Sequence, residues 1–381
     1  MKILLLGEYS GFFNSLKEGL LALNHEVVLA SSNDGFKEYP LDISFEPTFF
    51  KKRLPKIFRQ GIYRIFKKDI AILEVYQKVK KSKEKLTNFD VVFLINEQPI
   101  TQSPFFDTKI LKYIFTHNQT VFLSACGDDY IYINFILNNT LPYHLLSPYL
   151  NDKNLKSHYK YSFPYITKKA KKHHDFVFKN IKGVIPADYD YVIAYKKHPL
   201  ATPLIPFPIR IHLLKYQTPI INDKVIIFHG INHFNYYKKG NHIFKKALEI
   251  IQAKYADKVK IITTVDLPYN KYINEYNSCH ILLDQVFSYD QGYNALEAMA
   301  KGKVVFTGAE QEWLGYYKLE KDTVAINALP NTEKIVDKLE WLILNPEKII
   351  EISKNARSFI EKEHNYINIA SEYISKWTVS N

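Results

Sequence analysis

Apolar and polar positions in the first half of the chain alternate between short runs and helical spacing. The apolar run Ile3–Leu6 predicts a buried strand. Leu16, Leu20 and Leu23 then recur on one face of a helix, and Glu26–Ala30 predicts the next strand. Strands that alternate with helices are typical of a parallel, doubly wound α/β sheet, which binds ligands beyond the carboxyl ends of its strands. Further strands of this half are predicted at Val91–Ile95, Val121–Ser124 and Val192–Ala194.

A second alternation follows a proline-rich crossing at residues 200–222, where Pro203, Pro206, Pro208 and Pro219 disfavour helix and sheet and predict a linker. The pattern therefore predicts two α/β domains, with boundaries that we place at residues 1–205 and 206–362. Behind the crossing, strands are predicted at Val225–Phe228, Val259–Thr263, Ile281–Leu283 and Val304–Phe306, and a helix at Asn241–Tyr255.

The final segment, residues 363–381, predicts one more helix. Ala370, Tyr373, Ile374 and Trp377 share one face of it. An apolar face of this kind has to be covered by another part of the chain.

Composition adds the class of protein. A chain of 381 residues with 46% hydrophobic and 24% charged residues is long enough for two globular cores. Its two cysteines, Cys126 and Cys279, lack metal-type spacing, which favours a reducing compartment over a disulfide framework or a structural zinc. The apolar run after Met1 is too short for a secretory signal, and no run approaches the ~20 apolar residues of a membrane span. We expect a cytoplasmic protein, soluble or peripheral on the inner face of the cell membrane.

Charge is concentrated in one segment. The net charge is +12, and residues 51–85 alone hold 13 Lys and Arg against 3 Asp and Glu. A helix with this composition can lie on an anionic bilayer, where each cation adds about 1 kcal/mol of attraction. A packed helix with a solvated basic face would have the same composition. No nucleic-acid recognition motif accompanies the segment, so we expect no nucleic-acid partner. Between residues 51 and 68 the cations interleave with Ile57, Phe58, Ile62, Ile65 and Phe66, and a second basic, aromatic stretch covers residues 159–174.

Two glycine-containing loops of the second half are candidates for phosphate binding. Gly292 precedes an apolar helix that carries Glu297 in an early turn. The amides at such a helix start attract a phosphate, and a nearby carboxylate can hold a sugar hydroxyl. The other loop begins at Gly230 and ends in Lys239-Gly240 before a helix, a pattern that suits a diphosphate. Each loop alone could equally be an ordinary connection.

Together these loops resemble the donor-binding domain of GT-B glycosyltransferases of family 4. The resemblance covers about residues 205–320 and rests on Phe228-His229-Gly230, Lys239-Gly240 and the run from Glu297 to Val305. It implies a GT-B fold, in which two Rossmann-like doubly wound domains face each other across a cleft and a C-terminal helix crosses back to the first domain.

The same resemblance implies roles for residues of the donor site. Lys239 would contact the donor diphosphate, Glu297 the ribose hydroxyls, and the Gly292-Tyr293-Asn294 backbone the distal phosphate, with Gly230 in the first loop. Three positions depart from the family pattern. Tyr289 replaces an acidic residue, Ile231 replaces an arginine and leaves His233 or Lys238 as the second cation, and Lys303 replaces a proline. Asp290 or Asp284 could substitute for the acid that Tyr289 replaces.

The first half supplies candidates for the acceptor side. Cys126-Gly127-Asp128-Asp129-Tyr130 resembles the His-Gly-x-Asp element of the family, with Cys126 in the histidine position. Asp128 is expected at the cleft mouth and is a candidate catalytic residue. Glu97, which follows a predicted strand, is a second catalytic candidate, although a solvated loop acid would look the same. Gly7, Ser10 and Gly11 form a loop that we expect to approach the acceptor or a phosphate.

The implied activity is transfer of a sugar from a nucleotide-diphosphate sugar to a glycan or lipid-linked acceptor in surface polysaccharide biosynthesis. The resemblance also implies retention of anomeric configuration and the use of no metal and no other cofactor. Domain closure about residues 200–222 would exclude water from the cleft. Two alternatives remain open: a nucleotide-sugar epimerase on the same scaffold, and a non-catalytic scaffold that binds sugar nucleotides or membranes.

Overall fold

Two parallel sheets, each flanked by helices, form the molecule. The computed structural model describes residues 1–32, 37–66, 68–138 and 141–379. The first sheet has the strand order β3-β2-β1-β4-β5-β6, with parallel pairing throughout its ladders. Its strands are β1 (Lys2–Leu6), β2 (Glu26–Ser31), β3 (Ile43–Ser44), β4 (Val91–Leu94), β5 (Thr120–Ala125) and β6 (Gly183–Pro186). Its helices are α1 (Phe12–Ala22), α2 (Arg53–Phe66), α3 (Ala71–Lys81), α4 (Pro104–His117), α5 (Tyr130–Asn138), α6 (Ser147–Asn151), α7 (Lys168–Asn180) and α8 (Tyr189–Tyr195).

The second sheet is also parallel and has the order β11-β10-β9-β7-β8. In both sheets the strand order reverses next to the first strand of the domain, β1 or β7, which is where doubly wound folds bind ligands. The strands are β7 (Val225–Ile231), β8 (Val259–Val265), β9 (Ile281–Leu283), β10 (Val304–Thr307) and β11 (Ile326–Asn327). The helices are α9 (Asn241–Tyr255), α10 (Tyr269–Ser278), α11 (Tyr293–Ala300), α12 (Gln311–Tyr317), α13 (Thr332–Leu344), α14 (Pro346–Glu363) and α15 (Tyr366–Val379).

The predicted fold of two doubly wound domains is confirmed, but one predicted strand is wrong. Val192–Ala194 lies in helix α8, and the strand of that region is β6, nine residues earlier. Asp188 explains the helix, because its side chain accepts a hydrogen bond from the Tyr191 amide and caps the N-terminus of α8. The apolar run of β6 is only four residues long and ends in Pro186, so it left little periodic signal.

The predicted return of the C-terminal helix to the first domain is confirmed. Helix α15 packs on α1, where a Cβ at Gly19 would overlap the Tyr366 carbonyl oxygen. The rings of Tyr373 and Trp377 are fully buried, with centroids 5.1 and 5.5 Å from that of Phe93 in β4. The apolar face predicted from the sequence therefore covers the first sheet.

The proline-rich crossing is an extended segment that packs tightly. Ile205, Phe207 and Ile209 are buried, and the Ile209 amide donates to the His364 carbonyl oxygen at 2.7 Å. Its apolar side chains thus join the core between the two domains, and its prolines hold it extended.

Helix α2 stands out because none of its residues is buried. Among the residues that the structure describes, no helix is long and apolar enough to span a membrane.

Candidate active site

The Lys238-Lys239-Gly240 loop lies at the carboxyl end of β7, where it leads into α9. Gly240 has a φ of 74°, and a Cβ there would lie 2.6 Å from Cβ of Val286. Glycine is therefore required by both conformation and packing. This close contact fixes the start of α9 and places the two lysines at the cleft between the domains.

Lys239 belongs to a polar network within the second domain. Its Nζ lies 2.9 Å from Oδ1 of Asp284, and Nδ2 of Asn294 donates to the same oxygen at 3.0 Å. Asp284 is almost fully buried, and its Oδ2 has no hydrogen-bond partner among the described residues. A buried carboxylate with a free oxygen holds the ammonium group of Lys239 in place while leaving one third of that side chain exposed.

Lys238 points to the opposite domain. Its Nζ lies 2.9 Å from Oδ2 of Asp128 and 3.1 Å from the hydroxyl of Ser162. The Ser162 hydroxyl donates to the same Asp128 oxygen. The structure thus places Asp128, a predicted catalytic residue, at the cleft in an ion pair that joins the two domains.

Gly292 lies at the start of α11 in open space. It has a negative φ, and the nearest heavy atom to an added Cβ would be Nε2 of Gln285 at 3.9 Å. Unlike Gly240, it has no packing reason to be glycine. The open surroundings leave room for a ligand close to the first amides of α11, which lack intrahelical acceptors.

Glu297 lies one turn further along α11 and contacts the first domain. Its Oε2 lies 2.8 Å from Nζ of Lys37, and both side chains are largely buried. The ammonium group of Lys37 also lies within 6 Å of the ring centroids of Tyr39, Tyr269 and Tyr293. The Glu297 carboxylate, which we expect to bind ribose, is therefore held in a largely buried ion pair in this structure.

The hydroxyl of Tyr293 joins the domains at the base of the cleft. It hydrogen bonds to the Ser15 hydroxyl and lies 3.0 Å from the carbonyl oxygen of Pro208. The side chain of this predicted donor residue therefore has an interdomain role, which leaves its backbone amide for a ligand.

A cavity of about 210 Å³ lies between the domains beside these lysines. Its lining includes Lys238, Lys239 and Gly292 from the second domain and two carboxyl groups, Asp188 and Asp190, from the first. Ammonium groups of the second domain thus face carboxyl groups of the first across this space.

Asp190 reaches the position where the sequence departs from the family pattern. Its Oδ2 accepts from the Tyr289 amide at 3.1 Å and from the Ser288 hydroxyl at 2.6 Å. The Tyr289 ring stacks on Tyr143, with centroids 5.3 Å apart. Asp190 of the first domain therefore contacts position 289, where the family pattern has an acidic residue of the second domain.

Asp290 also bridges the domains. Its Oδ2 accepts from the Tyr189 amide at 2.9 Å. Burial raises the pKa of Asp290 to about 7 and that of Asp190 to about 6, and the pKa of Asp188 also rises because burial and the neighbouring acids disfavour its charge. The sequence pattern did not single out Asp188 and Asp190 because it did not predict strand β6. What could have identified them is their position just beyond the carboxyl end of that strand.

Glu97 lies inside the first domain. It is 1% exposed, and its Oε1 lies 2.8 Å from Nδ1 of His174. Burial raises the pKa of Glu97 to about 8 and lowers that of His174 to about 4. Burial thus disfavours the charged form of both groups, which share one hydrogen bond. This pair lies apart from the interdomain cavity.

Cys126 is buried, and burial strongly raises the pKa of its thiol. It therefore stays a neutral packing residue in this structure.

In this structure, aromatic rings pack closely against Gly230 and against Gly11 of the Gly7–Gly11 loop. A Cβ at Gly230 would lie 2.6 Å from the Tyr272 ring, and one at Gly11 would lie 2.6 Å from the Tyr39 ring. The Gly7–Gly11 loop, with Ser10 at φ 57°, precedes α1. The amides of Gly11 and Asn14 donate to the Glu8 carboxylate, which fills the anion position at this helix start. An acceptor role for Gly7, Ser10 and Gly11 stays a prediction.

The predicted role of Gly230 in the donor loop likewise stays a prediction.

Across the described parts of the chain, no group of three or more His, Cys, Asp or Glu residues is arranged to hold a metal.

The family model described as glycosyl transferase-like matches residues 236–375. No curated protein matches the sequence. Among solved structures, the chain is similar to HepE (Alr3699) of Anabaena in complex with UDP-glucose, with a TM-score of 0.56 and 13% identity over 100% of both chains. It is also similar to the sucrose-phosphate synthase of Thermosynechococcus elongatus, with a TM-score of 0.60 and 12% identity over 100% of this chain and 99% of that one.

A third similar structure is the UDP-GlcNAc 2-epimerase of Neisseria meningitidis bound to UDP-GlcNAc, with a TM-score of 0.51 and 12% identity over 100% of both chains. Sequence identities of 12% and 13% indicate a shared fold but do not identify the substrate. The chain has the GT-B fold of glycosyltransferases, and its residues 236–375 match a glycosyl transferase-like domain.

Proposed function

We propose that the protein transfers a sugar from a nucleotide-diphosphate sugar to an acceptor. The observation that carries this proposal is the convergence of Lys239, Lys238 and Gly292 on one interdomain cavity. Two ammonium groups and an open helix start suit a diphosphate, because they offer two cations and free amides to its oxygens. HepE, which has the same fold, binds UDP-glucose in its crystal structure.

The chemistry requires stabilisation of the departing diphosphate. As the bond between the anomeric carbon and the diphosphate oxygen breaks, negative charge develops on that oxygen next to Lys239 and the α11 amides. The acceptor hydroxyl then forms the new bond, and its proton passes to the departing phosphate. In the retaining reaction that we propose, the hydroxyl attacks from the same face as the leaving group. No metal and no other cofactor takes part in this proposal.

We further propose that the donor sugar is recognised by acids of the first domain. Asp190 contacts the Tyr289 backbone, and Asp188 lines the same cavity. Carboxyl groups at these positions can accept hydrogen bonds from sugar hydroxyls, the role that an acid at position 289 would have had. Glu297 would bind the ribose after its ion pair with Lys37 opens.

Asp128 is proposed to act near the acceptor. Its carboxylate lies at the cleft and is held by Lys238 and Ser162. Glu97 is left out of the proposed reaction because its carboxyl group is enclosed with His174.

The proposed acceptor is a glycan or lipid-linked saccharide of surface polysaccharide biosynthesis, met at the inner membrane face. Helix α2 supports this location, because it exposes apolar side chains between cations: Leu54 is 77% and Ile65 is 75% exposed. Such a surface is unfavourable in water and is covered when the helix lies in the headgroup region of an anionic bilayer.

The proposal is tested with Lys239→Ala and Glu297→Ala. Both variants should lose most transfer and most of the stabilisation by UDP in a thermal-shift assay, since only the folded donor site binds it. Lys258→Ala is the matched control, because Lys258 is exposed in the second domain and lines none of this cavity. Unchanged transfer in both site variants would contradict the proposal.

An epimerase remains the second candidate, favoured by the buried acids Asp188, Asp190 and Asp290 with their raised pKa values, which suit proton transfer. Incubation with UDP-sugars in D₂O without acceptor separates the two. Deuterium in the recovered sugar nucleotide supports the epimerase, and transfer without deuterium incorporation supports the transferase.

A further inference from the structure

A second large groove lies on the first domain, outside the donor cavity. It has a volume of about 880 Å³ and runs between the starts of α3, α4 and α7. Its apolar lining consists of Ile70, Ile72, Leu73, Pro104, Phe105 and Phe106. Leu73 and Phe105 are more than half exposed, so the groove presents an apolar floor to the outside.

The rim of the groove is cationic. Lys68, Lys109, Lys169 and Lys172 surround the apolar floor, and all four are exposed. The acid on the rim, Asp69, is already bound by the Arg59 guanidinium, whose Nε lies 2.7 Å from its Oδ1. The rim therefore carries a surplus of positive charge.

Lys171 forms an i,i+4 ion pair with Asp175 that stabilises α7, but among the described residues no acid pairs with Lys169 or Lys172. Lys168, Lys169, Lys171 and Lys172 all lie in the first five residues of this helix, and its first turn holds no acid. Cations at a helix N-terminus oppose the helix dipole. Lys169 and Lys172, which line the groove, therefore fit an external anion better than a role in stabilising the helix.

The groove borders two other features of the first domain. Arg59 of α2 holds Asp69, so the exposed apolar face of α2 adjoins one end of the groove. At the other end, His173 lines the groove and its Nε2 lies 2.6 Å from the Glu97 carbonyl oxygen, just beyond β4. The groove therefore borders α2 at Asp69 and the interior of the first domain at His173.

We propose that this groove binds a lipid phosphate, the anionic lipid that carries the acceptor sugar. Its phosphate would lie among Lys109, Lys169 and Lys172, and the first part of its hydrocarbon chain would cover Leu73 and Phe105. Naming this lipid as the acceptor rests on the proposed transferase function, whereas the lipid-phosphate site itself does not.

The direct test is titration of the full chain with dodecyl phosphate below its critical micelle concentration. Inorganic phosphate and dodecyl maltoside are the comparison probes, since they carry only the anion or only the chain. The groove is expected to bind dodecyl phosphate at least about tenfold more tightly than either probe. Equal binding of inorganic phosphate or of the maltoside would overturn the proposal.

Paired variants locate the binding site. Lys169→Glu with Lys172→Glu should weaken dodecyl phosphate binding by about tenfold or more, since two attractive contacts become repulsive. Lys258→Glu with Lys354→Glu changes the net charge equally at exposed positions of the second domain. An equal loss in this control pair would overturn the proposal, because it would show an unspecific charge effect.

The apolar part has its own pair of variants. Phe105→Ser should weaken dodecyl phosphate binding and leave the weak binding of inorganic phosphate unchanged. Leu344→Ser, at a similarly exposed position on α13, should change neither. If a glutamate variant fails to fold, the glutamine pair at positions 169 and 172 replaces it. Binding unchanged in both the lysine and the phenylalanine variants overturns the site.

UDP binding separates this proposal from the proposed function. The groove variants should retain UDP binding, and Lys239→Ala should retain dodecyl phosphate binding. If transfer and UDP binding are absent while dodecyl phosphate binding depends on the groove, the transferase proposal fails and the lipid-phosphate site stands. If dodecyl phosphate does not bind, the groove proposal fails whatever the donor site does.

Discussion

The Lys238 ammonium group lies 2.9 Å from Oδ2 of Asp128 and joins the second domain to the first. Its neighbour Lys239 turns the other way, to Asp284 within its own domain. Two adjacent lysines thus pair with acids of different domains, and both line the same interdomain cavity.

We expect the Lys238–Asp128 pair to contribute about 1 kcal/mol, more than a fully exposed pair, because both side chains are less than one fifth exposed. Lys238→Ala and Asp128→Ala should each lower the unfolding midpoint, and the double variant should lose less than the sum of the two. A double-mutant cycle on thermal unfolding measures this coupling. Strictly additive losses would mean that the pair does not stabilise the closed cleft.

Gly292→Ala should separate ligand binding from stability. The added Cβ has room, so the unfolding midpoint should stay nearly unchanged, whereas UDP affinity should fall by about tenfold if a phosphate approaches this helix start. Thermal unfolding and UDP titration measure the two effects. Unchanged UDP affinity would argue against a phosphate at Gly292.

Gly240→Ala serves as the contrast. Its positive φ and the close approach of Val286 should make this variant less stable by about 1–3 kcal/mol. Gly315→Ala on α12, where no atom lies within 4 Å of an added Cβ, should leave the protein at least as stable.

The buried acids predict a dependence of stability on pH. In the folded protein the pKa of Asp290 is raised from 3.8 to about 7, mainly by burial, with Asp190 and Asp188 as its acidic neighbours. Between these two values the unfolded chain releases this proton and the folded protein keeps it. The contribution of Asp290 therefore lowers the free energy of unfolding as pH rises from about 4 to about 7.

Asp290→Asn should remove this contribution. Urea unfolding at several pH values should give a smaller decrease of stability across that range in the variant than in the wild-type protein. Identical pH profiles would show that Asp290 is ionised in the folded protein. Other buried groups, such as Glu97 and His174, titrate in both proteins, so their contributions to the pH dependence cancel in this comparison.

Membrane binding should depend on the apolar face of α2 as well as on charge. Ile57→Ser with Phe58→Ser should reduce flotation with anionic liposomes, because both side chains are more than half exposed and would lose apolar burial. Ile220→Ser with Leu344→Ser is the matched control at exposed positions elsewhere.

Binding of wild-type protein should also fall with salt and be weak on neutral liposomes. Equal flotation with neutral and anionic lipid would contradict an electrostatic contribution. Equal loss in the control pair would contradict a specific role for α2.

Local patterns in the sequence determined the repeating architecture and the positions of the two glycine-containing loops that precede α9 and α11. Strands β1 and β7 contain the apolar runs Ile3–Leu6 and Val225–Phe228, and Gly240 marks the start of α9 because only glycine tolerates that backbone and that contact. The sequence also identified the apolar face of α15, since a period of 3.6 residues is a property of the helix itself. Strand β6 was missed because four residues carry too little periodicity.

The tertiary structure alone decided which side chains meet across the cleft. Lys37 and Glu297 are 260 residues apart, and Asp190 and Tyr289 are 99 apart, so no spacing in the sequence could pair them. It also enclosed Glu97 with His174, where a surface loop acid was equally consistent with the sequence. Burial and charge pairing depend on how two separately folded sheets pack together, and that geometry is set by the whole core.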